Sequence, residues 1–140
     1  MNKLLVFTDL DGSLLDHDTY SWEKAGPALN ELDKKGFPVI FTSSKTALEI
    51  QQLKKETENN FPYISENGAV AGIPENYFAS LKEINEQKYE PFIFGKTYKE
   101  IIDVLKELQK EFNFRGFADM SADEVAEKTG LSYDHAIQAK

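Results

Sequence analysis

The apolar run Leu4-Leu5-Val6-Phe7 stops abruptly at Thr8-Asp9-Leu10-Asp11-Gly12-Ser13. Such a run suits a short strand of a parallel sheet covered on both faces, and its length excludes a signal h-region or a membrane span. Residues two apart in extended backbone point to the same side, so Asp9 and Asp11 would face one site just beyond the strand. Two such anions repel each other unless a cation lies between them, and hard oxygen ligands of this kind suit magnesium. A carboxylate can also attack phosphorus, and a neighbouring carboxyl group can protonate a leaving alcohol and then deprotonate water. A capped turn with Asp9 and Asp11 bonded to local amides is the plainer alternative. A calcium loop does not fit, because Gly12 stands at the fourth position instead of the sixth and Leu14 and Leu15 follow.

The rest of the first half repeats the same rhythm. Ser21 can cap a helix from about Trp22 to Lys35, with Ala25, Leu29 and Leu32 at helical spacing and Gly36 as the stop. A second strand, Phe37 to Phe41, leads to Thr42, Ser43 and Ser44, then to a helix from Thr46 to about Glu56 and a third short strand, Pro62 to Ser65. This alternation predicts an α/β sheet with right-handed crossovers. The polar loops would then meet at the carboxyl edge, where open α/β folds bind ligands.

Beyond Glu66-Asn67-Gly68 the pattern changes: Gly72, Pro74 and Asn76 read as turn residues, and Lys82 to Glu90 as a polar stretch. A domain boundary is expected near Ser80, giving a first domain over 1–80 and a second over 81–140. In the second, Pro91 to Phe94 reads as a strand, Tyr98 to Phe112 as an amphipathic helix and Phe114 to Phe117 as another strand. Ser121 to Lys128 reads as a helix with Glu124 in the capping-box position. Together they suggest a small α+β module.

Charge and composition narrow the function classes. With 24 acidic residues against 16 Lys plus Arg the net charge is −8, which repels nucleic acid and anionic membrane surfaces. A phosphate ester would need a local positive site or a bound cation. The chain has no cysteine, so thiolate metal sites and thiol nucleophiles are excluded. A cytoplasmic location is the expectation.

Asp9-Leu10-Asp11-Gly12-Ser13-Leu14-Leu15 resembles the first motif, Asp-x-Asp-Gly-Thr/Ser-Leu-Leu, of the haloacid dehalogenase superfamily. Ser43-Ser44-Lys45-Thr46-Ala47-Leu48-Glu49 is similar to the Thr-Ser-Lys-Thr-x-x-Glu stretch of that superfamily's mannosyl-3-phosphoglycerate phosphatases, and Glu66-Asn67-Gly68-Ala69 to their Glu-Asn-Gly stretch. Phe114-Arg115-Gly116-Phe117-Ala118-Asp119-Met120 and Thr129-Gly130-Leu131-Ser132 resemble their cap. The resemblance implies an incomplete Rossmann-like core, three-layered around a parallel sheet, with part of an inserted α+β cap that closes over the site. It implies Asp9 as nucleophile, Asp11 as general acid and base, and Mg2+ held by the Asp9 carboxylate and the Asp11 main-chain carbonyl. Ser43, Ser44, Lys45, Asn67 and Arg115 become candidate substrate or phosphate contacts. The local alternatives are a solvated lysine for Lys45, a simple turn for Asn67 and an exposed strand charge for Arg115. His17 and His135 stand alone, without ligand spacing.

The implied reaction is phosphomonoester hydrolysis on a small phosphorylated sugar or sugar acid, with mannosyl-3-phosphoglycerate as substrate. A related sugar phosphatase or a phosphomannomutase-like enzyme is the alternative within the class, and a non-catalytic binding module the alternative outside it. The family's Gly-Asp-x-x-Asn-Asp motif does not occur before Lys140. A sheet ending this early would expose an unpaired edge, so self-association is expected unless another chain supplies strands.

Overall fold

The computed structural model describes residues 4–79 and 85–140. The chain divides into two compact units, Met1–Phe94 and Gly95–Lys140. The first is built from strand β1 (Val6–Thr8), helix α1 (Gly26–Lys34), strand β2 (Val39–Thr42), helix α2 (Ala47–Glu56), and strands β3 (Tyr63–Ser65), β4 (Val70–Glu75) and β5 (Asn85–Ile93). The strands lie in one sheet in the order β1-β2-β3-β4-β5. β1, β2 and β3 are parallel, whereas β4 runs antiparallel to both β3 and β5. The α/β class holds, and the sheet is mixed instead of wholly parallel.

The core is centred on β2, whose Val39, Ile40 and Phe41 are all buried. Leu10, Leu14, Leu15, Ile50, Leu53 and Tyr63 pack into the same cluster as Val39 and Phe41. Leu10 is fully buried between the two exposed carboxylate residues, and the Leu15 amide donates to the Leu10 carbonyl at 2.8 Å. Burying each such leucine contributes about 2 kcal/mol, which anchors the Asp9 to Asp11 segment from beneath.

Local chemistry explains the helices. α2 starts at a capping box: the Glu49 amide donates to Thr46 Oγ1, and the Thr46 amide donates to Glu49 Oε2 at 2.9 Å. α1 instead follows a 3₁₀ turn over Glu23–Ala25 and carries Pro27 in its first turn. Ser21 Oγ accepts from the Glu23 amide at 3.2 Å, ahead of α1, so it does not cap α1 as expected. Gly36, at φ +65°, ends the helix in the left-handed conformation that only glycine adopts freely.

β4 contains Gly72 and Pro74, the residues read as turn signals. Each has a tertiary reason to be in a strand. Gly72 pairs with Tyr63, and a Cβ there would stand 2.2 Å from the tyrosine ring, so only glycine admits this packing. Pro74 lies at the register shift between Pro74 and Glu75, where a strand tolerates a missing N–H. Pro91–Ile93 is the end of β5 and belongs to the first unit, so the division falls after Phe94; the boundary expected at Ser80 lies outside the described residues.

The second unit contains helices α3 (Tyr98–Leu108), α4 (Ala122–Thr129) and α5 (Tyr133–Ala139) and no strand among its described residues. The expected strand Phe114 to Phe117 is instead an unpaired segment entering a 3₁₀ turn, Phe117–Asp119. The Gln109 side chain donates to the Phe114 carbonyl at 3.3 Å and to Asp119 Oδ2 at 2.7 Å, taking the place of a ladder partner. The capping box of Ser121 and Glu124 forms as expected. Val125 and Ala136 are this unit's buried apolar residues.

Candidate functional site

The carboxyl ends of β1 and β2 and the turn after β3 enclose a cleft of about 430 Å³. Thr8, Asp9, Thr42, Ser43, Ser44 and Asn67 line it, with Phe7 at the β1 side. Backbone bonds hold the loops in register. The Ser43 amide donates to the Ile64 carbonyl at 3.0 Å, the Asn67 amide to the Ser43 carbonyl at 3.1 Å, and the Glu66 amide to the Lys45 carbonyl at 3.0 Å. Glu66 and Asn67 both adopt left-handed backbone, at φ +52° and +54°. Asparagine tolerates that conformation better than most residues, so the turn chemistry of Asn67-Gly68 delivers the side chain to the cleft.

Asp9, Ser43, Ser44 and Asn67, four of the residues singled out in the sequence, thus line one cavity. Ser43 is buried, and its Oγ accepts from the Lys45 amide at 3.2 Å. Thr42 Oγ1 is also buried but has no hydrogen-bond partner among the described residues. The Thr8 hydroxyl donates to the Asp9 carbonyl at 2.8 Å.

Asp11 and Lys45 are not among the cleft-lining residues; they form an ion pair, with Nζ 3.0 Å from Oδ1. The Lys45 ammonium also stands 5.4 Å from the centre of the Tyr20 ring, within the range of a cation–π contact. Tyr20 is placed by a turn organised around Asp16. One Asp16 oxygen accepts from the amides of Asp18 and Thr19 and from the Thr19 hydroxyl, and the other pairs with Lys24 at 2.6 Å. The Lys24 ammonium, aided by the Thr19 groups and the Asp18 amide, holds the Asp16 carboxyl well below the usual carboxylate range. Sequence reasoning passed over Asp16 and Tyr20. The signal was present in Asp16-His17-Asp18-Thr19, an Asx-turn pattern.

Arg115 lies in the second unit, where it forms a two-pronged pair with Glu124: NH1 to Oε1 at 2.9 Å and NH2 to Oε2 at 3.2 Å. Arg115 lowers the Glu124 carboxyl to about 2, and Glu124 raises the guanidinium in return. His17 and His135 are both exposed.

The donor chemistry of the cleft suits magnesium in kind, since the carboxylate of Asp9, which lines it, is a hard oxygen donor. Among the described residues no group of three or more His, Cys, Asp or Glu could hold a metal ion. Magnesium commonly takes one or two carboxylates and keeps several waters, so one carboxylate is compatible with part of its shell. No helix among the described residues is long and apolar enough to cross a membrane.

The chain has counterparts among known proteins. The chain is 43% identical over 142 residues to a glucosyl-3-phosphoglycerate/mannosyl-3-phosphoglycerate phosphatase from Methanococcoides burtonii, covering 99% of this chain and 52% of that protein. It is 38% identical over 138 residues to a protein of the same description from Persephonella marina, covering 98% and 51%. The chain therefore spans about half the length of the curated relatives it matches. A structure from Thermoplasma acidophilum superposes with a TM-score of 0.62 at 22% identity, covering 83% of this chain and 45% of that one. One from Thermotoga maritima superposes with a TM-score of 0.61 at 21% identity, covering 95% and 49%. These two likenesses show the fold. The model of the haloacid dehalogenase-like hydrolases matches residues 6–138, from the strand that leads into Asp9 to the last helix, and the chain belongs to that family.

Proposed function

We propose that the chain forms the nucleophile-bearing part of a magnesium-dependent phosphatase. The observation that carries this reading is the convergence of Asp9, Ser43 and Asn67 on one cleft at the carboxyl edge of the sheet. In the first step an Asp9 carboxylate oxygen bonds to phosphorus as the ester bond breaks, and Asp11 gives its proton to the departing oxygen. In the second, Asp11 takes a proton from water, which attacks the aspartyl phosphate and frees phosphate and Asp9. Ser43 and the loop amides would orient the phosphoryl oxygens, and Asn67 the substrate. Magnesium, held by the Asp9 carboxylate and the Asp11 main-chain carbonyl, would neutralise phosphoryl charge.

The descriptions of the two relatives support mannosyl-3-phosphoglycerate as substrate, hydrolysed to mannosylglycerate and phosphate, with the glucosyl ester as its competitor. Phosphate release from both esters and from a panel of sugar phosphates, with and without magnesium, tests the assignment. Asp9→Asn in the full-length protein is expected to lower turnover by at least about a thousandfold while leaving the fold intact, because the amide is nearly isosteric but a poor nucleophile. Substantial retained activity would remove Asp9 from this role. A phosphate-binding module without turnover is the second reading, favoured by the single carboxylate that lines the cleft among the described residues. Binding of mannosyl-3-phosphoglycerate without phosphate release would select it.

A further inference from the structure

Lys45 is held in a way that a solvated lysine at a helix start does not require. Its amide donates to Ser43 Oγ, its carbonyl accepts from the Glu66 amide, and its ammonium is committed to Asp11 at 3.0 Å. Only 21% of its side chain is exposed. The Tyr20 ring stands 5.4 Å from that ammonium and is carried at φ +56°, a left-handed conformation unfavourable for an aromatic residue. The Asp16 turn holds that conformation, with the Tyr20 amide donating to the Asp16 carbonyl at 2.9 Å. An aromatic ring and a carboxylate thus both approach one ammonium, which comes from a separate loop.

We propose that Lys45 is a positioning residue for Asp11, itself held in place by Tyr20: the ammonium secures Oδ1 so that the carboxyl group meets the leaving oxygen in one orientation, through Oδ2. The proposal rests on Asp11 being the acid of the reaction above. In that step the bond from Asp9 to phosphorus forms, the bond from phosphorus to the ester oxygen breaks, and the proton on Asp11 moves to that oxygen. Orientation of Asp11 then matters in proportion to how much the leaving oxygen needs a proton. An alkyl ester needs it; an aryl ester with a good leaving group does not.

The test measures kcat/KM in the full-length protein with magnesium for mannosyl-3-phosphoglycerate and for 4-nitrophenyl phosphate. This constant covers events only as far as loss of the leaving group. Lys45→Met is expected to lower it by about tenfold or more for the alkyl ester and by less than about threefold for the aryl ester, with unchanged inhibition by inorganic phosphate. Lys45→Arg should recover most of the loss, and Tyr20→Leu should give a smaller loss with the same dependence on leaving group. If Lys45→Met fails to fold, Tyr20→Leu carries the test. An equal fall on both esters with weaker phosphate inhibition would make Lys45 a phosphate ligand, and no change on either would leave it without a role; both results overturn the proposal. Asp11→Asn is the reference. If it discriminates between the esters and Lys45→Met does not, only the positioning role fails. If Asp11→Asn does not discriminate, or the unaltered protein hydrolyses neither ester, the underlying reading fails and takes the positioning role with it.

Discussion

Lys45 and Lys54 stand at opposite ends of α2 and meet opposite environments. Lys45 pairs with a carboxylate beside the cleft. Lys54 is 2% exposed and among the described residues has only neutral acceptors: its ammonium donates to Asn59 Oδ1 at 2.7 Å and to the Phe61 carbonyl. The rings of Phe41 and Tyr89 lie 5.9 and 5.7 Å from it. Burial pushes the Lys54 ammonium down to about 7, whereas a charge at the cleft edge keeps an anion within reach. The difference separates two uses of one residue type. At the carboxyl edge of the sheet a lysine pairs with a carboxylate from a neighbouring loop; at the other end it ties the loop that leads into β3. Asn59 completes that tie by donating to the Val39 carbonyl at 2.9 Å and accepting from the Phe61 amide at 3.1 Å.

Asn59→Ala would probe this division most sharply. It removes the carboxamide acceptor of a buried cation together with a bond to the central strand, so a loss of about 3 kcal/mol is expected in urea unfolding. Turnover at a temperature where the variant is folded should be unchanged. A catalytic defect without loss of stability would mean that the two ends of α2 are not separate.

At the cleft end, Ser43→Ala is expected to slow phosphate release by about tenfold to a hundredfold with little change in stability. Thr42→Ala should cost less. Thr42 Oγ1 has no partner among the described residues, however, so the opposite ranking would reassign the phosphate contact to it.

Lys54 also leaves a signature in the pH dependence of stability. Its folded value of about 7 lies below the ordinary lysine value near 10.5, so between these limits the unfolded chain holds a proton that the folded chain has released. Stability therefore rises with pH across that window; below it both states carry the proton and the term is flat. Lys54→Met should remove a rise of about 3 kcal/mol, read from the change in urea midpoint between pH 6.5 and pH 9.5. An unchanged slope would show that Lys54 is charged throughout.

The cleft was more legible in the sequence than the sheet around it. Asp9, Ser43, Ser44 and Asn67 each sit beside a strand end or in a turn that local patterning already reveals, and the alternation of Asp9, Leu10 and Asp11 separates the buried leucine from two exposed carboxylates. Gly72 and Pro74 misled because turn propensity is local, whereas their place in β4 depends on the Tyr63 ring and on a register shift against β5. Phe114 to Phe117 misled for the converse reason: its composition suits a strand, but the side chain of Gln109, just past α3, occupies the Phe114 carbonyl.

By itself, then, the sequence determined the capping box of α4, the alternation that sets Leu10 apart from the two aspartates and the family to which they belong. These depend on residues a few positions apart, whose geometry the backbone alone sets. Only the tertiary structure decided the antiparallel course of β4 and β5, the division after Phe94, the pairing of Lys45 with Asp11 and the burial of Lys54. Each depends on groups brought together from distant positions, and neither the direction of a strand pair nor the partner of a charge is encoded by its neighbours in the chain.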